Sequence, residues 1–231
     1  NSYGHIPNQS FFKKAEEKLT DDKLNYHKRT INRNDRSFIT DFIIDDNSQF
    51  SVKNKEDLIL PMLRFKNSYD GSEKTSGHFG FYRKVCSNGL HVSQAEIEFS
   101  IKHSKNNTDL IMPRLNNLFD RFLDNEFYTI TKRFDQMREF KIIDTKEFVK
   151  AILEKTKLFR YECSDKNSEP SKKSREVLEI LNYEALLLNE EPNLWLGYNA
   201  FNAVLHHTLK KSFSQQEKLD KRLFNEIYEM A

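Results

Sequence analysis

FGFYRKVCSNGLHVSQAEIEFSIKH, residues Phe79 to His103, is the stretch whose reading decides the fold. Asn88-Gly89 is a strong short hairpin signal, because a type I′ turn needs positive φ at both central positions. Beyond it, Ile97, Phe99 and Ile101 alternate with Glu96, Glu98, Ser100 and Lys102. A period of two gives a strand with one buried and one wet face. The expectation is an antiparallel hairpin of Phe79–Cys86 and Leu90–His103, with Ile97, Phe99 and Ile101 inside. Four of the six glycines, Gly71, Gly77, Gly80 and Gly89, gather in and just before this stretch, which marks turns and close backbone approach. Working outward toward the N-terminus, Tyr69-Asp70-Gly71-Ser72 is a turn signal. Leu58–Lys66 reads as a strand, which Pro61 assigns to an edge or a bulge. Phe38–Ile44 is a further strand, closed by Asp45-Asp46-Asn47. Asp21–Arg36 is polar and shows no good period. An opening helix is capped by Ser10 and carries Phe11, Phe12, Ala15 and Leu19 on one face.

After Asn106-Asn107-Thr108 the period changes. Leu115, Leu118, Phe119, Phe122, Ile130, Phe134 and Met137 fit one face of a long helix over about 113–140. Asp144 with Glu147 makes a capping-box start for the next helix, which carries Phe148, Ala151 and Ile152. Residues 164–174 read as a loop. Ser174 starts a helix with Val177, Leu178, Leu181 and Ala185 that Pro192 ends, and Asn193 starts another running to about Lys211. Ser214 and Glu217 form a last capping box ahead of Leu219, Leu223, Ile227 and Met230. The fold class is therefore α+β. A single domain is expected over 1–231, with a hairpin-rich sheet at about 38–103 packed against a helical part at about 113–231.

Composition narrows the function classes. The 231 residues carry 37% hydrophobic and 31% charged side chains, so the chain has a core and a heavily solvated surface. Nineteen phenylalanines supply large apolar area where aliphatic residues are few. A net charge of +2 permits nucleic acid without pointing to it. The two cysteines, Cys86 and Cys163, are far apart, which excludes a disulfide framework and a four-ligand zinc site and suits a reducing compartment. No apolar run approaches the ~20 residues a membrane span needs. Neither a metal nor a cofactor is expected. The chain opens on Asn1, and its last helix is still in phase at Ala231, so both ends are read as open to continuation.

Among residues with chemistry to offer, the sequence contains no glycine-rich phosphate loop, no paired-histidine metalloprotease helix and no nucleophile elbow. Cys86 has Arg83, Lys84 and His91 near it in sequence, which would lower a thiol pKa, yet a small residue before a turn is ordinary in a sheet. His206 and His207 are adjacent, so a helix points them about 100° apart and they cannot chelate one metal. Trp195, Asn199, Asn202 and His206 share one helical face. That face is either docked on the sheet, its amides satisfying backbone groups, or a groove that faces a ligand. The basic run His27-Lys28-Arg29, Arg33 and Arg36 is of the kind that usually forms a solvated face. In the hairpin region, Arg64, Lys66, Arg83, Lys84 and Lys102 interleave with Phe65, Tyr69, Phe79, Phe81 and Tyr82. Such a sheet can hold a nucleic-acid strand, with cations on phosphates and rings on bases, or it can be a core with solvated lysines. Alternation places Tyr82 beside Lys84, and Arg83 in the more apolar row, where a carboxylate such as Asp70 would hold it.

Three strings taken together resemble a known family. They are Asn67-Ser68-Tyr69-Asp70-Gly71-Ser72, then Gly80-Phe81-Tyr82-Arg83 running into Val85-Cys86-Ser87-Asn88-Gly89-Leu90, then Trp195 followed by Tyr198-Asn199-Ala200. In order and spacing they resemble the phage/plasmid-like domain-of-unknown-function family numbered nine hundred and thirty-two. The resemblance is specific over Leu60–His103 and Asn193–His207 and extends to the intervening helices in pattern only. It implies a protein encoded by a phage, prophage or plasmid and working in the bacterial cytoplasm, and it brings no activity with it. Consecutive antiparallel strands followed by a long helix are also similar, at fold level alone, to single-strand annealing proteins of the Rad type.

Three functions follow in order of expectation. The first is a non-enzymatic protein that binds single-stranded nucleic acid in replication or recombination, using Arg64, Lys66, Tyr69, Tyr82, Arg83 and Lys84. The second is an interaction or regulatory protein that binds a protein partner or another copy of itself. The third, an enzyme, would need Asp70, Cys86, His91 or His206 to converge on a pocket, and nothing in their spacing demands it.

Overall fold

The computed structural model describes residues 4, 7–34, 36–45, 57–72, 74–83, 88–90, 98–104, 109–121, 127–163, 169–211 and 213–231, with the side chains of 10, 11, 31–34, 88–90, 98, 99, 127, 128, 213 and 214 left out. The fold is α+β, with the strands in the first half and most of the helices in the second. The chain forms two compact units, one of Asn1–Gly89 with Ser93–Phe127, the other of Leu90–Val92 with Tyr128–Ala231.

The first unit opens with α1 (Asn8–Asp21), followed by β1 (Tyr26–Asn34), β2 (Ser37–Ile44), β3 (Ile59–Ser68), β4 (Thr75–Arg83), β5 (Asn88–Leu90) and β6 (Glu98–Ile101), and closes with α2 (Ile111–Arg121). The strands form one sheet in the order β1-β2-β3-β4-β5, with β6 also paired to β4. The pairs β1/β2, β2/β3, β3/β4 and β4/β6 are all antiparallel. One face carries Phe42, Leu63, Phe65, Phe79 and Phe81, all buried. The two helices cover this face. Phe12 of α1 lies 6.5 Å from Phe65, and Phe119 of α2 meets Phe79 edge-on at 5.6 Å. Asn67 donates to Asn8 at 2.6 Å and accepts from Thr75 Oγ1 at 2.8 Å, so the polar atoms under the helix are satisfied.

Several sequence expectations change here. β1 occupies the polar stretch in which no period was found. It ends the strand order, and among its described side chains Tyr26, 5.6 Å from the Phe42 ring, and Lys28 reach the core. The Lys28 ammonium lies 5.6 Å from the rings of both Phe12 and Phe42. Pro61 sits in an interior strand rather than at an edge, one residue beyond the last β2 pair, Ile43↔Met62. β6 pairs antiparallel with β4, with Ile101 buried and Ser100 exposed, but its partners are Thr75–His78, ahead of the expected Phe79–Cys86. Asn88-Gly89, however, belongs to strand β5 instead of a two-residue turn. The pairs Thr75↔Ile101 and Gly77↔Phe99 are centred on Asn88 itself, whereas a two-residue turn needs the centre between Asn88 and Gly89. Residues 84–87 and 91–97, with Cys86, His91 and Ile97, lie outside the described residues, as does the side chain of Phe99. The β3–β4 connection is the turn expected: Asp70 accepts from the Ser72 amide at 2.9 Å and Gly71 adopts φ 75°. α1 begins at Asn8 with Pro7 at its N-cap, so Ser10 lies in its first turn.

The second unit holds α3 (Phe127–Glu139), α4 (Thr145–Thr156), α5 (Lys172–Leu187), α6 (Leu194–His207) and α7 (Phe213–Tyr228). The helix expected over 113–140 is thus described as two, α2 and α3. α6 is the axis of the unit, buried on every side from Leu194 to Leu205, as a helix hydrophobic all round must be. Trp195 packs 4.5 Å from Phe134, Tyr198 meets Phe224 at 5.2 Å, and Phe201 meets Phe148 at 6.3 Å. Gly197 is required for that approach, since a Cβ there would stand 2.6 Å from the Phe148 ring.

The caps mostly follow the sequence. Asp144 accepts from the Lys146 and Glu147 amides, and Asn193 from Leu196. The α5 cap is Ser171 rather than Ser174, whose hydroxyl is committed to the Tyr161 carbonyl at 2.8 Å. α6 stops at His207, short of Lys211, and α7 already begins at Phe213, which puts Ser214 inside it. Among the described residues no helix is long and apolar enough to cross a membrane.

Candidate nucleic-acid interface

The second face of the sheet is chemically unlike the first. Register aligns Arg29, Asp41, Arg64, His78 and Glu98 in one row across β1, β2, β3, β4 and β6. Alternation requires Arg29, Asp41, Arg64 and His78 to leave the sheet on one side. Arg64 forks onto Asp41, Nε to Oδ1 at 2.5 Å and Nη2 to Oδ2 at 2.8 Å, and Arg29 Nη2 donates to the same Oδ2 at 2.8 Å. Asp41 is fully buried, Arg64 nearly so, and Arg29 is about one-third exposed. Burial alone would push the Asp41 carboxyl up, but Arg64 and then Arg29 outweigh it and hold the group below the ordinary carboxylate range. One carboxylate between two guanidiniums leaves this triad a net positive charge.

Beside the triad lies an apolar bed of Ile43, Leu60 and Met62, with Tyr82 packed on it. The ring extends across the bed until Arg29 lies 5.4 Å over it and His27 meets it edge-on at 6.4 Å. Tyr82 remains half-buried and His27 exposed. A ring on an apolar floor, flanked by a guanidinium and an imidazole of an end strand, can stack a base while the guanidinium meets phosphate.

The expected binding residues are dispersed by the fold. Arg64 is spent on Asp41, and Lys66, on the same face, is buried. Arg83 is fully buried against Asp57, 2.5 Å from Nε to Oδ1, so a carboxylate holds it as expected, but that carboxylate is Asp57 and not Asp70. Asp70 instead stands near Arg36, at 3.9 Å. Tyr69 is exposed at the far end of β3, edge-on to Phe38 at 4.8 Å. Lys84 lies outside the described residues. Of the expected set only Tyr82 joins the cluster, and its companions Arg29 and His27 come from the basic run that reads as a plain solvated face. The signal available was the strand period of Tyr26, Lys28 and Thr30 against His27 and Arg29.

The α6 face is core. Trp195, Asn199 and Asn202 are fully buried and His206 is half-buried. This face docks on neighbouring helices of its own unit, and it is no open groove. Asn199 Nδ2 donates to the Trp195 carbonyl at 2.7 Å, while Asn202 and the Tyr198 hydroxyl both donate to Asp220 Oδ1 on α7, at 2.8 and 2.9 Å. His206 Nε2 stands 3.8 Å from the other oxygen of Asp220. Among the described residues no cluster of three or more His, Cys, Asp or Glu is arranged to hold a metal.

Compared with known proteins, the chain matches the model of one family, Domain of unknown function (DUF932), over residues 1–224. No curated protein and no solved structure matches it.

Proposed function

The chain belongs to this family of unknown function, and on that premise we propose that its sheet unit binds single-stranded nucleic acid without catalysing a reaction on it. The observation that carries the reading is Tyr82 lying on the apolar bed between Arg29 and His27. A single strand offers unstacked bases to the ring and phosphates to the cations, and neither demands a particular sequence. The fixed positive charge of the Arg29–Asp41–Arg64 triad favours an anion at this face. Binding or annealing of strands during replication or recombination of a phage or plasmid, in the bacterial cytoplasm, is the setting we propose.

The test is fluorescence anisotropy with single- and double-stranded oligonucleotides at two salt concentrations. Single strands should bind more tightly, and binding should weaken with salt. Arg29→Ala should flatten the salt dependence by about one counterion. Tyr82→Ala should cost about 1–3 kcal/mol of affinity, the worth of one stacked base, and Tyr82→Phe should retain most of it. Absence of salt-sensitive binding to any oligonucleotide at micromolar protein overturns the reading.

A second reading, a protein partner or a second copy of the chain, is favoured by one observation. Tyr183, Leu186 and Leu187 on α5 are half to four-fifths exposed at the i, i+3, i+4 spacing by which helices dock.

A further inference from the structure

A groove in the helical unit, remote in sequence from the sheet residues, has the makings of a small-ligand site. Its volume is about 500 Å³, within the range of small-molecule sites. One wall is a single face of α4, where Lys150, Leu153 and Glu154 follow one another at helical spacing, with Lys157 at the C-cap. The chain then reverses at Lys157, which takes the left-handed conformation (φ 54°), and returns past the helix as a strap bearing Phe159, Arg160 and Tyr161.

Besides Phe159, whose ring lies 6.5 Å from Phe201 and 5.9 Å from the Lys173 ammonium, the strap is held by its backbone. The Tyr161 carbonyl accepts from the Ser171 amide at 2.6 Å and the Ser174 hydroxyl at 2.8 Å, and the Arg160 carbonyl accepts from the Ser171 hydroxyl at 3.0 Å. Glu162 and Pro170 complete the bridge. The side chains of the strap are thereby left for the groove. Phe159 and Tyr161 are half-buried, while Lys157, Arg160 and Glu154 are exposed. Burial, and after it Glu147, push the Tyr161 phenol above its ordinary range, so the ring is neutral at physiological pH and carries a hydrogen-bond donor.

We propose that this groove binds a nucleoside 5′-phosphate. Three chemistries meet in it, and that ligand uses all three. Lys150, Lys157 and Arg160 supply cations for a phosphate, Arg160 with a fork suited to two of its oxygens. Tyr161 and Phe159 supply flat apolar surface for a base. Glu154 supplies a carboxylate that can accept from sugar hydroxyls. A plain phosphate would leave the rings idle, and an apolar molecule would leave three cations unused.

Isothermal titration calorimetry with AMP and ADP, and with adenosine and inorganic phosphate as partial probes, tests the assignment on the whole chain. AMP or ADP should bind saturably, and each partial probe at least about tenfold more weakly, since it loses one of the two anchors. Lys157→Ala/Arg160→Ala should weaken ADP binding by about a hundredfold, one tenfold step for each charge-assisted contact. Both side chains are exposed, so the melting temperature should stay unchanged. Tyr161→Leu should weaken ADP while leaving phosphate as it was. No saturable binding at millimolar nucleotide overturns the proposal. So does binding that survives Lys157→Ala/Arg160→Ala and disappears in Arg29→Ala, which would put the nucleotide on the sheet. The oligonucleotide titration reads the sheet separately, so either assignment can fail alone.

Discussion

Asp41→Asn is the sharpest probe of the sheet's charged face. The substitution keeps the side-chain volume and removes the charge that two arginines share. Arg64 is 3% exposed and loses a bidentate partner at 2.5 and 2.8 Å. Breaking a buried pair from one side costs about 3–5 kcal/mol, because the remaining charge stays desolvated. Arg29, at 35% exposure, can turn to water and adds at most about 1 kcal/mol. The expected loss is therefore about 3–5 kcal/mol, nearly all of it through Arg64. Guanidinium denaturation of wild type, Asp41→Asn, Arg64→Met and the double variant should give a large coupling between positions 41 and 64. The double variant should recover much of the stability lost by Asp41→Asn, since no charge is then left buried. pH adds an independent check. A carboxyl whose folded pKa is depressed contributes stability that is complete above its unfolded value, about 3.9, and is lost as pH falls through the folded value. The gap between wild type and Asp41→Asn should thus be flat from neutral pH to about 5 and shrink below about 4. A loss under about 1 kcal/mol at neutral pH, or a gap that widens with acid, would refute a buried charge balance at this site.

Arg83→Ala should likewise cost about 3–5 kcal/mol by stranding Asp57, while oligonucleotide affinity per folded molecule, from anisotropy corrected for the folded fraction, stays unchanged. Trp195→Ala should cost about 3–5 kcal/mol in chemical denaturation, as large-to-small core changes do. Gly197→Ala should cost about 1–3 kcal/mol by overpacking against Phe148, and Gly197→Ala/Phe148→Leu should recover part of it on the same titration.

What could be read from the sequence depended on whether local pattern and tertiary burial agreed. β6 and α4 were legible because Ile101 against Ser100, and Asp144 ahead of Glu147, are local signals that packing leaves alone. β1 was not, because it carries Lys28 on the face of Phe42 and Arg29 on the face of Asp41. Their stems and charges are satisfied by Phe12, Phe42 and Asp41, residues no window around β1 contains. The Asn88-Gly89 turn failed for a related reason: the dipeptide is drawn into strand β5 beside β4, and strand pairing overrides a dipeptide preference. At the candidate site, composition named one ring of the cluster, Tyr82. It could not foresee that Arg64 and Arg83 would be consumed by Asp41 and Asp57, since those pairings join positions 23 and 26 residues apart. The α6 stripe read as amphipathic because Asn199, Asn202 and His206 are polar. The buried acceptor Asp220 makes that polarity internal.

The end strand β1 also bears on how the protein behaves in a crowded solution. A terminal strand presents unpaired amides and carbonyls, and a second chain can extend a sheet by adding there. On this strand Lys28 projects to one side, gripped by two rings and by Glu16 at 2.8 Å, while His27 and Arg29 project to the other. An incoming strand would have to crowd cations on both sides of itself, and an identical β1 would bring like charge against like. The cations that would draw a polyanion to this rim would also repel copies of itself, and charge neutralisation of Lys28 and Arg29 should promote edge-to-edge association.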